Sequence, residues 1–253
     1  MSQVPAATRT LRVLRFLATQ PNPVPLDRIA RALEIPRSSA YHLLNTMIDE
    51  GFIVHLADDN CYGIGIAAYE VGTGYSRQAP LQRIARRPLA ALVDRIGQSA
   101  HLAVPHGRDV LYVLEERAPG RPPLVTDVGV RLPAHLTASG RAILAALPAE
   151  QVRALFPDRD AFVQRHATGP ASLTELRGEL VDTRKRGYAV EDGDITPGFA
   201  SVAAAVLDHN RLPVAAVAVT YLADAIATEP LVTAVTATAQ QLSQRLLGTP
   251  KGR

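Results

Sequence analysis

Two helical periodicities only three residues apart constrain this chain more than anything else in it. Leu26, Ile29, Ala30 and Leu33 recur at i, i+3, i+4 and i+7, and after Glu34-Ile35-Pro36 a second apolar pattern begins with Ala40, Leu43, Leu44, Met47 and Ile48. Pro25 suits the first turn of the earlier helix, and Asp27 sits where the helix dipole favours a negative charge. Gly51 suits the position just past the end of the later one. Short helices joined this tightly pack their apolar faces at a steep angle, the helix-turn-helix arrangement. An earlier pattern, Leu11, Leu14, Leu17 and Ala18, stops at Pro21-Asn22-Pro23 and adds a third helix. Beyond Gly51, Phe52–Leu56 and Cys61–Gly65 flank Asp58-Asp59-Asn60 and read as a hairpin. Residues 1–65 are thus expected to form a winged helix-turn-helix.

The second helix of the pair leaves Ser38, Tyr41, His42 and Asn45 on its outer face, again at i, i+3, i+4 and i+7. A major groove admits such a helix, and Asn45 has the geometry to pair bidentately with adenine. Arg37 and Ser39, in its first turn, are placed for phosphate or base, and Arg28 belongs to the same early group of arginines. That group, Arg9 to Arg37, is balanced within residues 1–65 by acidic residues that come mostly later, including Asp58 and Asp59 at the wing tip. Phosphate would repel that tip, so the wing is expected to contribute little. A solvated polar face explains the same residues without DNA; the hairpin directly after the helix favours DNA. The net charge of +3 neither demands nor forbids it.

From Ile66 the helical pattern resumes, with a break near Pro80, and residues 66–77 read as a linker helix into a second domain, 78–253. There, strands are expected at Val110–Leu114, Tyr188–Glu191, Ala200–Leu207 and Val214–Thr220. Helices are expected at Ser139–Leu147, Ala149–Phe156, Leu173–Arg186 and Pro230–Leu247, the third opened by the capping box Ser172-Leu173-Thr174-Glu175. The fold class is α+β. Thr137-Ala138-Ser139-Gly140 opens one of these helices, where bare amides and the helix dipole suit a carboxylate.

Three segments carry a family resemblance. Pro25 through Leu44, Arg131-Leu132-Pro133-Ala134-His135-Leu136-Thr137-Ala138-Ser139-Gly140-Arg141-Ala142-Ile143-Leu144-Ala145, and Arg186-Gly187-Tyr188-Ala189-Val190 followed by Gly198 and Ala203-Ala204 together resemble the IclR family of transcription regulators, in order and over nearly the whole chain. The resemblance implies a GAF-like α/β effector domain, a homodimer or tetramer, and a palindromic double-stranded DNA operator, since protein two-fold symmetry is mirrored in half-sites. It also implies that a small-molecule effector, a small acid, binds at Ala138 and Ser139, at Glu191, at Ser201, and at Ala218 and Thr220. The family often has Cys in place of Ser201 and Ser in place of Ala218, which points to a more apolar ligand. Phe199, Leu136 and Val128 are candidates for its wall, and His135 is expected to hold its loop through a hydrogen bond.

Other classes leave weaker marks. Glu70-Val71-Gly72-Thr73-Gly74 hints at a methyl-donor loop, but it lies in the linker helix rather than after a strand. There is no G-x-S-x-G elbow, and His101, His106 and His135 lack metal-ligand spacing. No enzyme activity, cofactor or metal is expected. The single Cys61 excludes an intrachain disulfide and fits a cytoplasmic protein. No apolar run reaches the roughly 20 residues of a membrane span, and Met1–Arg15 has no signal-peptide core. A winged-helix enzyme such as a methyltransferase, and a purely architectural DNA-binding dimer, remain the alternatives. Effector, operator and the sign of regulation are left open.

Overall fold

The computed structural model describes residues 4–247 except 79, 123, 167 and 224, without the side chains of 73–80 and 247. It divides into two compact units, Met1–Ala79 and Pro80–Arg253.

The first unit runs α1 (Pro5–Ala18), β1 (Val24–Pro25), α2 (Leu26–Leu33), α3 (Arg37–Asp49), β2 (Ile53–Leu56), β3 (Cys61–Ile64) and α4 (Ile66–Gln78). Its core is Ile29 and Leu33 of α2, Ala40, Leu44 and Met47 of α3, and Ile53 and Tyr62 of the wing. Each large apolar side chain buried this way contributes about 1.5–3 kcal/mol. α1 departs from the expected face. It buries Val13 and Leu17 while Leu11 is 61% exposed, because the i, i+4 pair Val13–Leu17 meets α2 and α3 more squarely than the stripe through Leu11. Val24 and Pro25 form a third strand on the hairpin, in the order β1-β3-β2; two residues are too few for any periodicity to announce. The turn between α2 and α3 puts Glu34 in the left-handed region, at φ 55°, with the Ile35 amide bonded to the Ala30 carbonyl. The break expected near Pro80 involves residue 79, which lies outside the described residues.

The second unit runs α5 (Pro80–Ile96), β4 (Ser99–His106), β5 (Asp109–Glu116), β6 (Arg131–Pro133), α6 (Ala138–Ala146), α7 (Ala149–Leu155), α8 (Leu173–Arg186), β7 (Ala189–Asp192), β8 (Phe199–Leu207), β9 (Pro213–Leu222) and α9 (Thr228–Leu247). Its strands make one antiparallel sheet in the order β6-β5-β4-β9-β8-β7. Strand alternation sorts the sheet's two faces. Val217, Val219 and Tyr221 of β9 turn toward α5 and α9, while Ala216 and Ala218 turn toward α6 and α8. The α6 face is built from small residues, Ala103, Ala203, Ala216 and Ala218, so α6 lies close to the sheet. Gly140 is part of that fit: a Cβ there would collide with the backbone of Ala134. Ser172 caps α8 by accepting from the Glu175 amide at 3.2 Å.

No helix among the described residues is long and apolar enough to cross a membrane.

Candidate functional site

On the first unit, α3 turns Ala40, Leu44 and Met47 inward, and Ser38, Ser39, Tyr41 and His42 stand exposed on its other side with Asn45 half-buried. Arg28 is exposed on α2. Arg37 is already engaged. Its guanidinium reaches Asp27 across the turn at 2.7 Å, in a pair open to solvent on both sides. An exposed pair of this kind holds weakly, so Arg37 can exchange Asp27 for a phosphate. Asp58 and Asp59 are exposed at the wing tip, where Asn60 has φ 49° and its Oδ1 accepts from His55 Nε2 at 3.1 Å.

On the second unit, a recess with about 410 Å³ of space, mouth included, opens at the start of α6. The sheet register builds its far wall. Glu191 pairs with Ser201 and Ser201 with Thr220, so three polar residues form one rung across β7, β8 and β9. Within that rung the Ser201 and Thr220 hydroxyls are 3.0 Å apart. Ala138 and Ser139 of α6, Ala218 and Phe199 complete the sequence-expected set around the recess. Leu136 does not line it. It is fully buried in the core beneath α6, at the end of the turn through residues 134–136 that leads into the helix. Val128 is 56% exposed and lies outside it as well.

The helix terminus leaves hydrogen-bond donors unused at this spot. Thr137, not Ser139, is the cap: its hydroxyl accepts from the Gly140 amide at 2.9 Å. That leaves the amides of Ala138 and Ser139 with no partner among the described residues. The Ser139 hydroxyl is buried beside the Tyr112 phenol and has no partner at full hydrogen-bond geometry. Two amides, a hydroxyl and a helix dipole therefore converge on one point.

Charge in the recess is unusual. Arg141 is the nearby cation, 4% exposed, and it is spent: it bonds the carbonyls of His135 and Val190, each at 2.9 Å, and forms a salt bridge with Asp194. Glu191 is buried and accepts the Ile195 amide at 3.1 Å. Burial pushes its pKa up to about 7, against the pull of that amide and of Ser201. Burial likewise raises the Tyr112 phenol. His135 does tie its loop down, through a 2.9 Å contact with the Val163 carbonyl, and burial lowers its basicity.

Thr137 of the expected helix-opening segment also lines the recess, as do Tyr112, Thr126, Ile195 and Thr196, which were not anticipated. Tyr112 was findable in principle, as an inward position of the expected strand Val110–Leu114; Thr126 and Thr196 sit in irregular segments that carry no period. No group of His, Cys, Asp and Glu among the described residues could hold a metal ion.

Comparison with known proteins gives a consistent picture. Residues 6–57 match the IclR helix-turn-helix domain and residues 73–244 the bacterial transcriptional regulator IclR C-terminal domain. The chain is 30% identical over 219 residues, 86% of its length and 80% of the relative's, to the transcriptional repressor IclR of Escherichia coli. It is 33% identical over 212 residues, 84% of its length and 82% of the relative's, to the glycerol operon regulatory protein of Streptomyces coelicolor. Among solved structures, Thermotoga maritima IclR superposes with a TM-score of 0.72 at 25% identity, covering 96% of this chain and 99% of that one. An IclR homologue of Microbacterium hydrocarbonoxydans complexed with 4-hydroxybenzoate superposes at 0.79 with 21% identity, covering 95% and 98%.

Proposed function

This chain belongs to the IclR family of bacterial transcriptional regulators, and we propose that a small carboxylate-bearing metabolite binds at the start of α6 and changes its grip on a palindromic operator. Family members are DNA-binding regulators with an effector-binding domain and are not enzymes, which sets aside the methyltransferase alternative.

The observation that carries the reading is the convergence at α6: two bare amides and the unbonded Ser139 hydroxyl facing a recess. A carboxylate there takes up all three donors. Glu191, Ser201 and Thr220 meet the polar atoms at the ligand's far end, and Phe199 and Ala218 flank its apolar body. The 4-hydroxybenzoate held by the Microbacterium homologue is a ligand of this chemical class. Leu136 has no part in contacting it.

At the other unit, Ser38, Ser39, Tyr41, His42 and Asn45 enter the major groove, and Arg28 and Arg37 take phosphates. A homodimer presents two such helices to two half-sites; α4 leaves Ile66 and Tyr69, three residues apart on one face, each 68% exposed, which suits pairing between copies. The protein works in the cytoplasm, where its DNA is. The effector acts by population shift: it favours whichever arrangement of the two helices it binds better.

Thermal denaturation of the full chain with acetate, benzoate and 4-hydroxybenzoate tests the pocket. At least one raises the melting temperature progressively with concentration, and Ser139→Ala abolishes the rise. If every acid leaves the transition unmoved, or Ser139→Ala responds as the unaltered chain does, the pocket assignment fails.

A further inference from the structure

α6 has a second cavity at its other end. A cleft of about 1350 Å³, mouth included, lies where α6, α8, β8 and α9 meet. It exists because β7 is short. β7 pairs with β8 only from Ala200 to Ala203, so Ala204–Leu207 have a strand partner on the β9 side alone. Of that segment's edge, the Leu207 amide is satisfied by the Ser243 hydroxyl of α9 at 2.9 Å.

Two hydroxyls in this cleft are out of place. Thr183 of α8 is 3% exposed, and its oxygen bonds to nothing; the buried oxygen of Thr236 on α9 bonds to nothing either. On the same helix Thr233, Thr238 and Ser243 all donate to the carbonyl four residues back. Thr236 and Thr183 could do so and do not. A buried hydroxyl without a partner costs about 1–3 kcal/mol, so such groups mark places where a partner is expected. Among the described residues the only other buried hydroxyl in this condition is Ser139, which lines the pocket at the start of α6.

The rest of the lining indicates what the partner is. Ala142 and Ala145 of α6 and Ala205 of β8 present methyl groups on one side of the open sheet edge and Ala239 of α9 on the other, so the cleft is a slot between the two helical layers that a flat ring can enter. Arg184 and Arg211 bring positive charge to the same cleft. Asp208 is the acidic residue among them, and its Oδ1 accepts from the amides of Asn210 and Leu212.

We propose that this cleft is a second small-molecule site, separate from the pocket at the start of α6, and that it takes a planar organic anion. The ring slots between the alanines of the two layers, polar substituents reach Thr183 on one side and Thr236 on the other, and the anionic group faces Arg184 and Arg211.

Benzoate is the probe, followed by alanine-methyl NMR on the full chain. The Ala142 and Ala239 methyls report the cleft; the Ala138 and Ala218 methyls report the other pocket. Benzoate shifts the cleft methyls saturably below roughly 20 mM, the range of a weak fragment. Ser139→Ala leaves those shifts intact, and Thr183→Val or Thr236→Val weakens them about tenfold, the worth of one good hydrogen bond. Each valine variant removes a hydroxyl that bonds to nothing, so it melts no lower than the unaltered chain, and its loss of binding is not unfolding. Three results overturn the proposal: cleft methyls that never move, cleft methyls that move equally in both valine variants, or cleft methyls that move with protein concentration alone, which would put a second copy of the chain in the cleft.

Discussion

A carboxylate entering the recess at the start of α6 meets Glu191, whose pKa burial has raised to about 7. Below that pH Glu191 is neutral and can donate a hydrogen bond. Above it Glu191 is an anion, and the nearby Arg141 is committed to Asp194 and to two carbonyls. Binding an anion therefore takes up a proton. The affinity of a carboxylate is expected to be flat below about pH 6.5 and to fall by up to tenfold per pH unit above about 7. Calorimetric titration of the full chain across pH 6–9 checks this, and Glu191→Gln flattens the profile. The same substitution raises the melting temperature more at pH 8, where the unaltered chain buries a charge, than at pH 5, where it does not. On the DNA unit, Asn45→Ala is expected to cost about 1–3 kcal/mol of discrimination at one base pair while leaving the salt dependence unchanged. A competition assay against operator variants reads that difference. Residue roles were only partly legible in the sequence. The segment Thr137–Gly140 marked a helix start without showing that Thr137 does the capping, and Leu136, next to Thr137 in the chain, faces the core.

Elements were easier to read than residues wherever one period dominated. α2, α3 and α8 follow from their apolar stripes and flanking residues, and β8 and β9 from runs of Val and Ala. β4 was invisible although it is central to the sheet, because Ser99, His101, Pro105 and His106 interrupt its apolar pattern. Pro105 is tolerated there because β4 pairs with β9 only from Ser99 to Ala103. Two substitutions probe the elements themselves. Gly140→Ala drives a methyl into the Ala134 backbone and must displace the start of α6, so it is expected to cost about 3 kcal/mol and to remove effector binding as well. Glu34→Gly relieves a non-glycine residue at φ 55° and is expected to stabilise the DNA unit by up to about 1 kcal/mol. Chemical denaturation of each variant measures both.

For the whole molecule, the account needs the two units to report on one equilibrium. An effector that binds one dimer arrangement better than the other must change operator affinity, and the operator must change effector affinity by the same factor. An architectural dimer would show neither. Selection of genomic fragments by the full chain at near-physiological salt, with and without a carboxylate that raises its melting temperature, tests this most directly. The account predicts enrichment of a palindrome of two half-sites, an enrichment that the carboxylate alters in the unaltered chain and leaves unchanged in Ser139→Ala. Fragments that share no motif and dissociate smoothly with salt, or a palindrome whose recovery ignores the carboxylate, would contradict it.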